Sequence, residues 1–397
     1  MLRIIHTADI HLGARHDDLG EQAAAQRERQ FAAFKAAIDL AIAEKADLFL
    51  IAGDLFDSNV QPRRSVERVA AEIKRLTLAR IRTVIIPGTH DVFDRVSIYR
   101  AYDLATMAGG TAGDGMVTVL DPDHASVHLA SLDLLVLGQV FDTKRAPHSP
   151  LHGMGPAVVA QGATPGARAP TWRVGLVHGS ISIPGKTEHD DVVITADEIA
   201  ASGLDYLALG HWHSTQSGKA GMVSYAYAGS PEPVALDQDR AGKVLLVDLD
   251  VNAAGKRSVT VNEHQVGRTR FEKTEIDAAT IVSQPDLVAV LAARGDPDLI
   301  LDVRITGVRP DDLDLDIDEI ETKLKPSFMK VRVRDVSAPA LTEGPLPSAD
   351  TIAGAFIRDL EARITELEAA GSLTEAAEQR DALRLGRLLL AGREVAL

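Results

Sequence analysis

The chain contains no cysteine, which excludes disulfide scaffolds, thiolate metal sites and cysteine nucleophiles together. Any metal chemistry must use imidazole and carboxylate. Aromatic residues make up 4% of the chain, so there are few platforms on which unpaired bases could stack. Basic residues are outnumbered: 42 Lys plus Arg stand against 57 Asp plus Glu, a formal charge of −15. A uniformly basic nucleic-acid coat is thereby excluded, and any nucleic-acid role needs a local source of positive charge. No apolar run approaches the roughly 18 residues of a membrane span, so no membrane association is expected. The opening Met1-Leu2-Arg3-Ile4-Ile5-His6 turns polar too early for the apolar region of a signal peptide. A cytoplasmic protein is the expectation.

What is present fits a globular chain. Apolar residues are 45% and charged residues 25% of 397, and that length predicts two or three domains of roughly 100 to 200 residues. Leu2 to Ile5, Leu48 to Ala52, Val84 to Ile86, Val174 to Val177 and Tyr206 to Leu209 are apolar runs of strand length. Between the first three the spacing turns helical, at Phe31, Phe34, Ile38 and Ile42, then at Val66, Val69, Ile73 and Leu76. Strand alternating with helix predicts a layered α/β fold. From about Val117 to Leu249 the runs shorten and crowd together, which predicts mixed sheet. The Gly- and Pro-rich stretch from Pro147 to Pro170 reads as a long surface loop able to act as a lid.

Beyond Leu249 the pattern becomes strand, helix, strand, helix, strand, that of a small α+β domain. Pro339, Gly344, Pro345 and Pro347 mark a linker. Ile352, Phe356, Leu360, Ile364 and Leu367 then form one helical stripe, with Gly371 separating it from a second helix. The expected organisation is a layered core over 1–255, an α+β domain over 256–336, a linker over 337–348 and a helical hairpin over 349–397. An apolar stripe after such a linker suggests a partner helix.

The chemistry gathers at strand ends. Asp9 and His11 follow the first strand, Gly53-Asp54 the second, Gly88-Thr89-His90-Asp91 the third; His178 ends the fourth, and Gly210-His211-Trp212-His213 ends the fifth. Carboxyl ends of strands in an α/β sheet border one crevice, so residues distant in sequence can meet there. Carboxylates mixed with imidazoles suit a divalent metal of the Zn, Mn or Fe type. In extended chain, Asp9 and His11, and likewise His211 and His213, would face the same way. Asp54 is the candidate to bridge two cations. The other histidines fit no spacing and read as structural or solvent-facing.

In this order the residues form D-x-H, G-D, G-x-H-D, H and G-H-x-H, a pattern that resembles the calcineurin-like metallophosphoesterases. Asp9 to Gly13, Gly53 to Asp57 and Tyr225 through Gly229 to Pro233 further resemble the SbcD-type DNA-repair nuclease branch of that family. The resemblance implies a metallophosphoesterase core and two divalent ions, Mn foremost with Fe or Zn as alternatives. It assigns one ion to Asp9, His11, Asp54 and His213, and the other to Asp54, His178, His211 and position 89. Here the sequence departs, because the family has Asn where this chain has Thr89, a neutral and shorter hydroxyl. The resemblance also implies that the ions activate water for in-line attack on phosphorus, with His90 facing the leaving oxygen and Asp91 orienting His90.

DNA is the substrate it implies. The partner would be a coiled-coil ATPase of the SbcC type at the hairpin, and a homodimer stays open. Two other readings stay open as well: a small-molecule or cyclic-nucleotide phosphodiesterase, and a scaffold protein in which Thr89 marks a weakened second metal site. A basic track leading from Arg63, Arg64, Arg68, Lys74, Arg75, Arg80 and Arg82 to the metals would favour DNA.

Overall fold

A computed structural model describes residues 1–111, 114–152, 154, 169–185, 187, 192–234, 238, 240–310, 313–339 and 347–390. Most of the expected lid, and residues 340–346 of the expected linker, lie outside them. The chain divides into two units, Met1–Phe271 and Glu272–Leu397.

The strands of the first unit are β1 (Leu2–Thr7), β2 (Leu48–Ala52), β3 (Arg82–Ile86), β4 (Val117–Val119), β5 (Ser126–Leu129), β6 (Leu134–Leu137), β7 (Trp172–His178), β8 (Ser180–Ile181), β9 (Val193–Ile194), β10 (Tyr206–Gly210), β11 (Gln216–Ala220), β12 (Val223–Tyr227), β13 (Lys243–Val251) and β14 (Arg257–Gln265). They form two six-stranded sheets, ordered β14-β13-β1-β2-β3-β4 and β11-β12-β10-β7-β6-β5, with β8 and β9 pairing separately. In the first sheet β1 to β4 run parallel and β13 joins β1 antiparallel. In the second, β12, β10, β7 and β6 run parallel. Both sheets are therefore mixed, and the fold is the layered α/β core expected.

Strand β2 shows why the layers stack. It reads Leu48-Phe49-Leu50-Ile51-Ala52 and is buried at every position, the signature of a strand covered on both faces. Alternate side chains serve different cores. Leu48, Leu50 and Ala52 join Ile4, Val84 and Ile86 against Val136, Val174, Leu176 and Tyr206 of the second sheet. Phe49 and Ile51 join Phe34, Ile38, Val66 and Ile73 beneath α1 (Ala23–Ala43) and α2 (Arg63–Leu78). Each such side chain contributes roughly 1.5–3 kcal/mol by leaving water. A one-residue register slip would exchange the two sets, so packing on both faces holds the strand in place.

The boundary expected near residue 255 is corrected. Residues 252–256 are a turn, not a linker: Asn252 Oδ1 accepts from the amides of Ala254 and Lys256, and Gly255 takes a positive φ of 78°. Strand β14 then returns antiparallel to β13, from Val251 opposite Arg257 to Lys243 opposite Gln265. The first sheet thus extends past residue 255, and the unit ends at Phe271.

The second unit holds β15 (Arg270–Asp277) from Glu272 onward, β16 (Asp296–Thr306), β17 (Val308–Arg309), β18 (Phe328–Asp335) and β19 (Ala338–Pro339). Strands β15, β16 and β18 form a sheet in that order, β16 and β18 parallel. The helices Gln284–Ala292 and Ile317–Leu324, capped by Ser283 and Asp316, cover one face. Helix, strand, helix and strand follow as expected, but the expected first strand, Val259 to Val261, belongs to β14 of the first sheet and β15 takes its place, its mostly exposed residues giving little apolar periodicity. The hairpin is present as helices Ile352–Ala369 and Leu373–Leu390, parted by Gly371 at φ 77° and tied by Arg387 to Glu361 at 2.8 Å. Gly354, Ile357 and Ile364 of the first helix and Ala376 of the second are buried; Ile352, at the first turn, is exposed.

The two sheets of the first unit approach each other tightly at Gly210. A Cβ there would lie 1.9 Å from the Ala52 carbonyl oxygen and 2.9 Å from the Ala8 Cβ, so any side chain forces β10 away from β1 and β2. Gly210→Ala is expected to cost about 3 kcal/mol of unfolding free energy in a urea titration; parental stability would contradict this packing.

Candidate metal centre

The chain leaves β1 and β2 through left-handed turns. Asp9, His11 and Asp54 have φ of 50°, 50° and 51°, and His211 after β10 has 99°. The expected extended geometry of Asp9-Ile10-His11 and His211-Trp212-His213 is therefore replaced by turns. Non-glycine residues hold such angles at a cost of about 1–3 kcal/mol each, and backbone bonds hold them here. The amides of Asp9, His11 and Leu12 donate to the carbonyls of Gly53, Asp54 and Leu55 at 3.1, 2.9 and 3.0 Å. The His211 amide donates to both Asp9 carboxylate oxygens, at 2.9 and 3.0 Å. Gly53 has φ 89°, and a Cβ there would meet His178 Nδ1 at 2.2 Å, so only glycine lets β7 present its terminal imidazole.

These turns bring the expected residues together. Ligand atoms of Asp9, His11 and His213 lie within 4.8 Å of one another, as do those of Asp9, Asp54 and His178. His11 Nε2 and His213 Nε2 are 3.2 Å apart. Asp54 Oδ2 stands between the two groups, 3.7 Å from His11 Nε2 and 3.3 Å from His178 Nε2. The His211 ring meets the His178 ring edge-on at 5.1 Å. His178 Nδ1 donates to the Ala52 carbonyl at 3.0 Å, which fixes the ring. Its Nε2 is buried and faces Asp54. Buried carboxylates and convergent imidazoles are the donor set a divalent cation requires.

The charges are strongly coupled. Burial and the nearby Asp54 push the Asp9 carboxyl up to about 6, against the pull of His178. Burial also works against the Asp54 carboxylate, yet His178, His11 and His90 outweigh it and hold that group well below the usual range. Burial opposes a charge on His178, but Asp54 and Asp9 prevail and raise it to about 10. Burial and the charge on His11 bring His213 down to about 3, so it stays neutral.

His90 is about half exposed, at 47% of its side chain. Its ring meets that of His11 edge-on at 4.6 Å. The expectation that Asp91 orients His90 is corrected: His90 Nδ1 bonds the carbonyl of Asp57 at 3.0 Å. Asp91 is instead fully buried and accepts from the amides of Gly88 and Phe56 and from the Tyr99 hydroxyl, at 2.7, 3.2 and 2.6 Å. It braces the loop rather than the imidazole. Thr89 is half-buried in this loop, whose neighbouring His90 amide donates to Asp54 Oδ1 at 2.8 Å.

Two participants escaped the sequence reading. The Asp57 carboxylate lies 3.3 Å from His11 Nδ1, and its position three residues after Asp54 was the only available signal. Tyr99 carried none. Several cations of the basic segment are engaged by neighbouring groups. Arg63 is paired with Glu67, Arg75 with Asp39 and Glu72, and Arg68 with Glu28 above the Phe31 ring. Arg82 donates to the carbonyls of Asp114 and Gly115. Among the described residues, no helix is long and apolar enough to cross a membrane.

With this geometry in hand, comparison with known proteins defines the class. The family model for calcineurin-like phosphoesterases matches residues 2–215, more than half of the 397 residues. The chain belongs to that family. It is 28% identical over 263 residues to the DNA double-strand break repair protein Mre11 of Aeropyrum pernix, covering 64% of this chain and 59% of that one. It is 27% identical to the D component of the nuclease SbcCD of Rhodobacter capsulatus, over 60% of this chain and 64% of the other. The Escherichia coli K12 protein of the same name is 23% identical, over 77% of this chain and 78% of its own length. The first two alignments thus span less than two thirds of those relatives.

Metal ligation needs neutral imidazole and ionised carboxylate. Because His178 is raised to about 10, it carries a proton at neutral pH that a cation must displace. Metal uptake by the metal-free protein is therefore expected to release at least one proton at pH 7, with affinity falling as pH falls. Calorimetry in buffers of different ionisation enthalpy reads this directly, and a pH-independent affinity would contradict it.

Proposed function

We propose that the chain is a phosphodiesterase that holds two divalent ions, Mn²⁺ foremost, and hydrolyses DNA. The observation that carries the reading is the convergence of Asp9, His11, Asp54, His178 and His213 where the two sheets meet. When bound, such ions supply Lewis acidity that activates water and stabilises charge on the phosphoryl oxygens. Asp9, His11, Asp54 and His213 would hold one, and Asp54, His178, His211 and Thr89 the other. Thr89 makes the second site the weaker.

The protein's own groups do the rest. Asp54 accepts the His90 amide through Oδ1, leaving Oδ2 for the cations. With its Nδ1–H donated to the Asp57 carbonyl, His90 would pass a proton from Nε2 to the leaving oxygen as the imidazolium. Asp91, bonded to both neighbouring loops, keeps His90 at its post. The relatives named for DNA repair and for a nuclease support DNA as the substrate. By the same reasoning the hairpin is the seat for a coiled-coil ATPase, and the reading carries a cytoplasmic location with it. A second reading, a small-molecule phosphodiesterase, is favoured by one observation: three of the five cations of α2, Arg63, Arg68 and Arg75, are held in ion pairs.

Incubation with Mn²⁺ and labelled single- and double-stranded DNA separates the two. Cleavage is expected; no cleavage alongside brisk hydrolysis of a small phosphodiester transfers the assignment to the second reading. His90→Ala should lower turnover about 10²- to 10⁴-fold with metal content intact, whereas Asp54→Ala should lose metal by elemental analysis. Thr89→Asn should tighten the second site; a protein that binds one metal or none and gains no activity from this change would be a scaffold.

A further inference from the structure

The sheet of the second unit is covered by helices on one face, while the other buries Ile300 and exposes arginines further along β16 and β18. Leu301, Val303 and Ile305 of β16 pack with Val331 and Val333 of β18 against the helices. By the two-residue period of a strand, Asp302, Arg304, Arg332 and Arg334 stand on the opposite face, where the three arginines are exposed. The register places Asp302 opposite Arg332 and Arg304 opposite Arg334. Glu275 of β15 shares this face, 3.9 Å from Arg304. Lys273, two residues before it on the same strand, is exposed as well.

Like charges facing each other across strands destabilise a sheet, so the Arg304 and Arg334 pairing needs compensation. Arg334 donates to Asp302 at 2.6 Å, and Arg304 has only the longer contact to Glu275. Arg332 has no hydrogen bond and no acidic partner among the described residues. The face therefore carries surplus positive charge on a chain whose formal charge is −15, whereas the cations of α2 are largely paired. Neighbouring strands are about 4.8 Å apart and same-face residues about 6.6 Å apart along a strand. That grid of guanidinium groups suits a row of phosphates, which arginine binds through paired N–H donors.

We propose that this arginine-bearing face docks the sugar–phosphate backbone of a nucleic acid, a contact separate from hydrolysis. Naming DNA as that polyanion rests on the phosphodiesterase reading above. The test uses the full chain and a fluorescein-labelled DNA duplex, with binding followed by anisotropy over a range of KCl concentrations without added metal. Arg332→Glu should weaken binding about tenfold at low salt. Arg332→Ala should reduce the slope of log K against log [KCl] by about one, and Arg332→Lys should preserve it. Mn²⁺-dependent hydrolysis of bis(4-nitrophenyl) phosphate should be the same in all variants. The proposal is overturned if the parent does not bind the duplex, or if Arg332→Glu leaves affinity and slope unchanged. Displacement of the duplex by polyglutamate at equal charge would overturn it too, in favour of an acidic protein. A parent that binds with the expected slope but hydrolyses no phosphodiester supports the face and removes the phosphodiesterase reading instead.

Discussion

Two buried aspartates, Asp9 and Asp54, share a few ångströms of space with three imidazoles at the junction of two sheets. Ionised groups in so dry a place are costly unless opposite charge accompanies them. The raised His178 and the depressed Asp54 show how tightly the charge is balanced inside the protein. A cation placed among these groups would relieve the same imbalance, which is why the donor set reads as a metal centre and not as an ordinary buried ion pair.

Much of the surrounding architecture meets this one requirement. The β1 and β2 loops are laced by backbone bonds, Asp9 is gripped by the His211 amide, and Gly53 and Gly210 keep clear the space that side chains would fill. Left-handed angles at Asp9, His11, Asp54 and His211 are strain concentrated at one place, sustained because both sheets are packed on both faces. Rigidity of this kind holds ligands where the chemistry needs them.

Charge is also sorted by place. Acidic groups dominate the chain, the cations of α2 are largely bound to neighbouring carboxylates, and the sheet of the second unit keeps arginines with too few partners. A run of basic residues in sequence thus proved a poor guide to a basic surface. Helix residues three and four apart neutralise one another, whereas strands distant in sequence can align like charges.

How much was legible follows from how each feature is encoded. The apolar runs of β2, β7 and β10, the helical stripe of α2, and the His and Asp residues at strand ends are local patterns, and a period or a spacing reveals them. Composition and spacing therefore determined the layered α/β class and singled out the Asp and His residues that the structure brings together. What they left open depends on contacts between distant segments. Strand β14 returns to β13 across what looks like a linker, β15 hides because mostly exposed residues leave no period, and His90 leans on Asp57 rather than Asp91 because of how two loops fold over each other. Hydrogen-bond partners and the balance of buried charge are set by distances in space, and only the tertiary structure decides those.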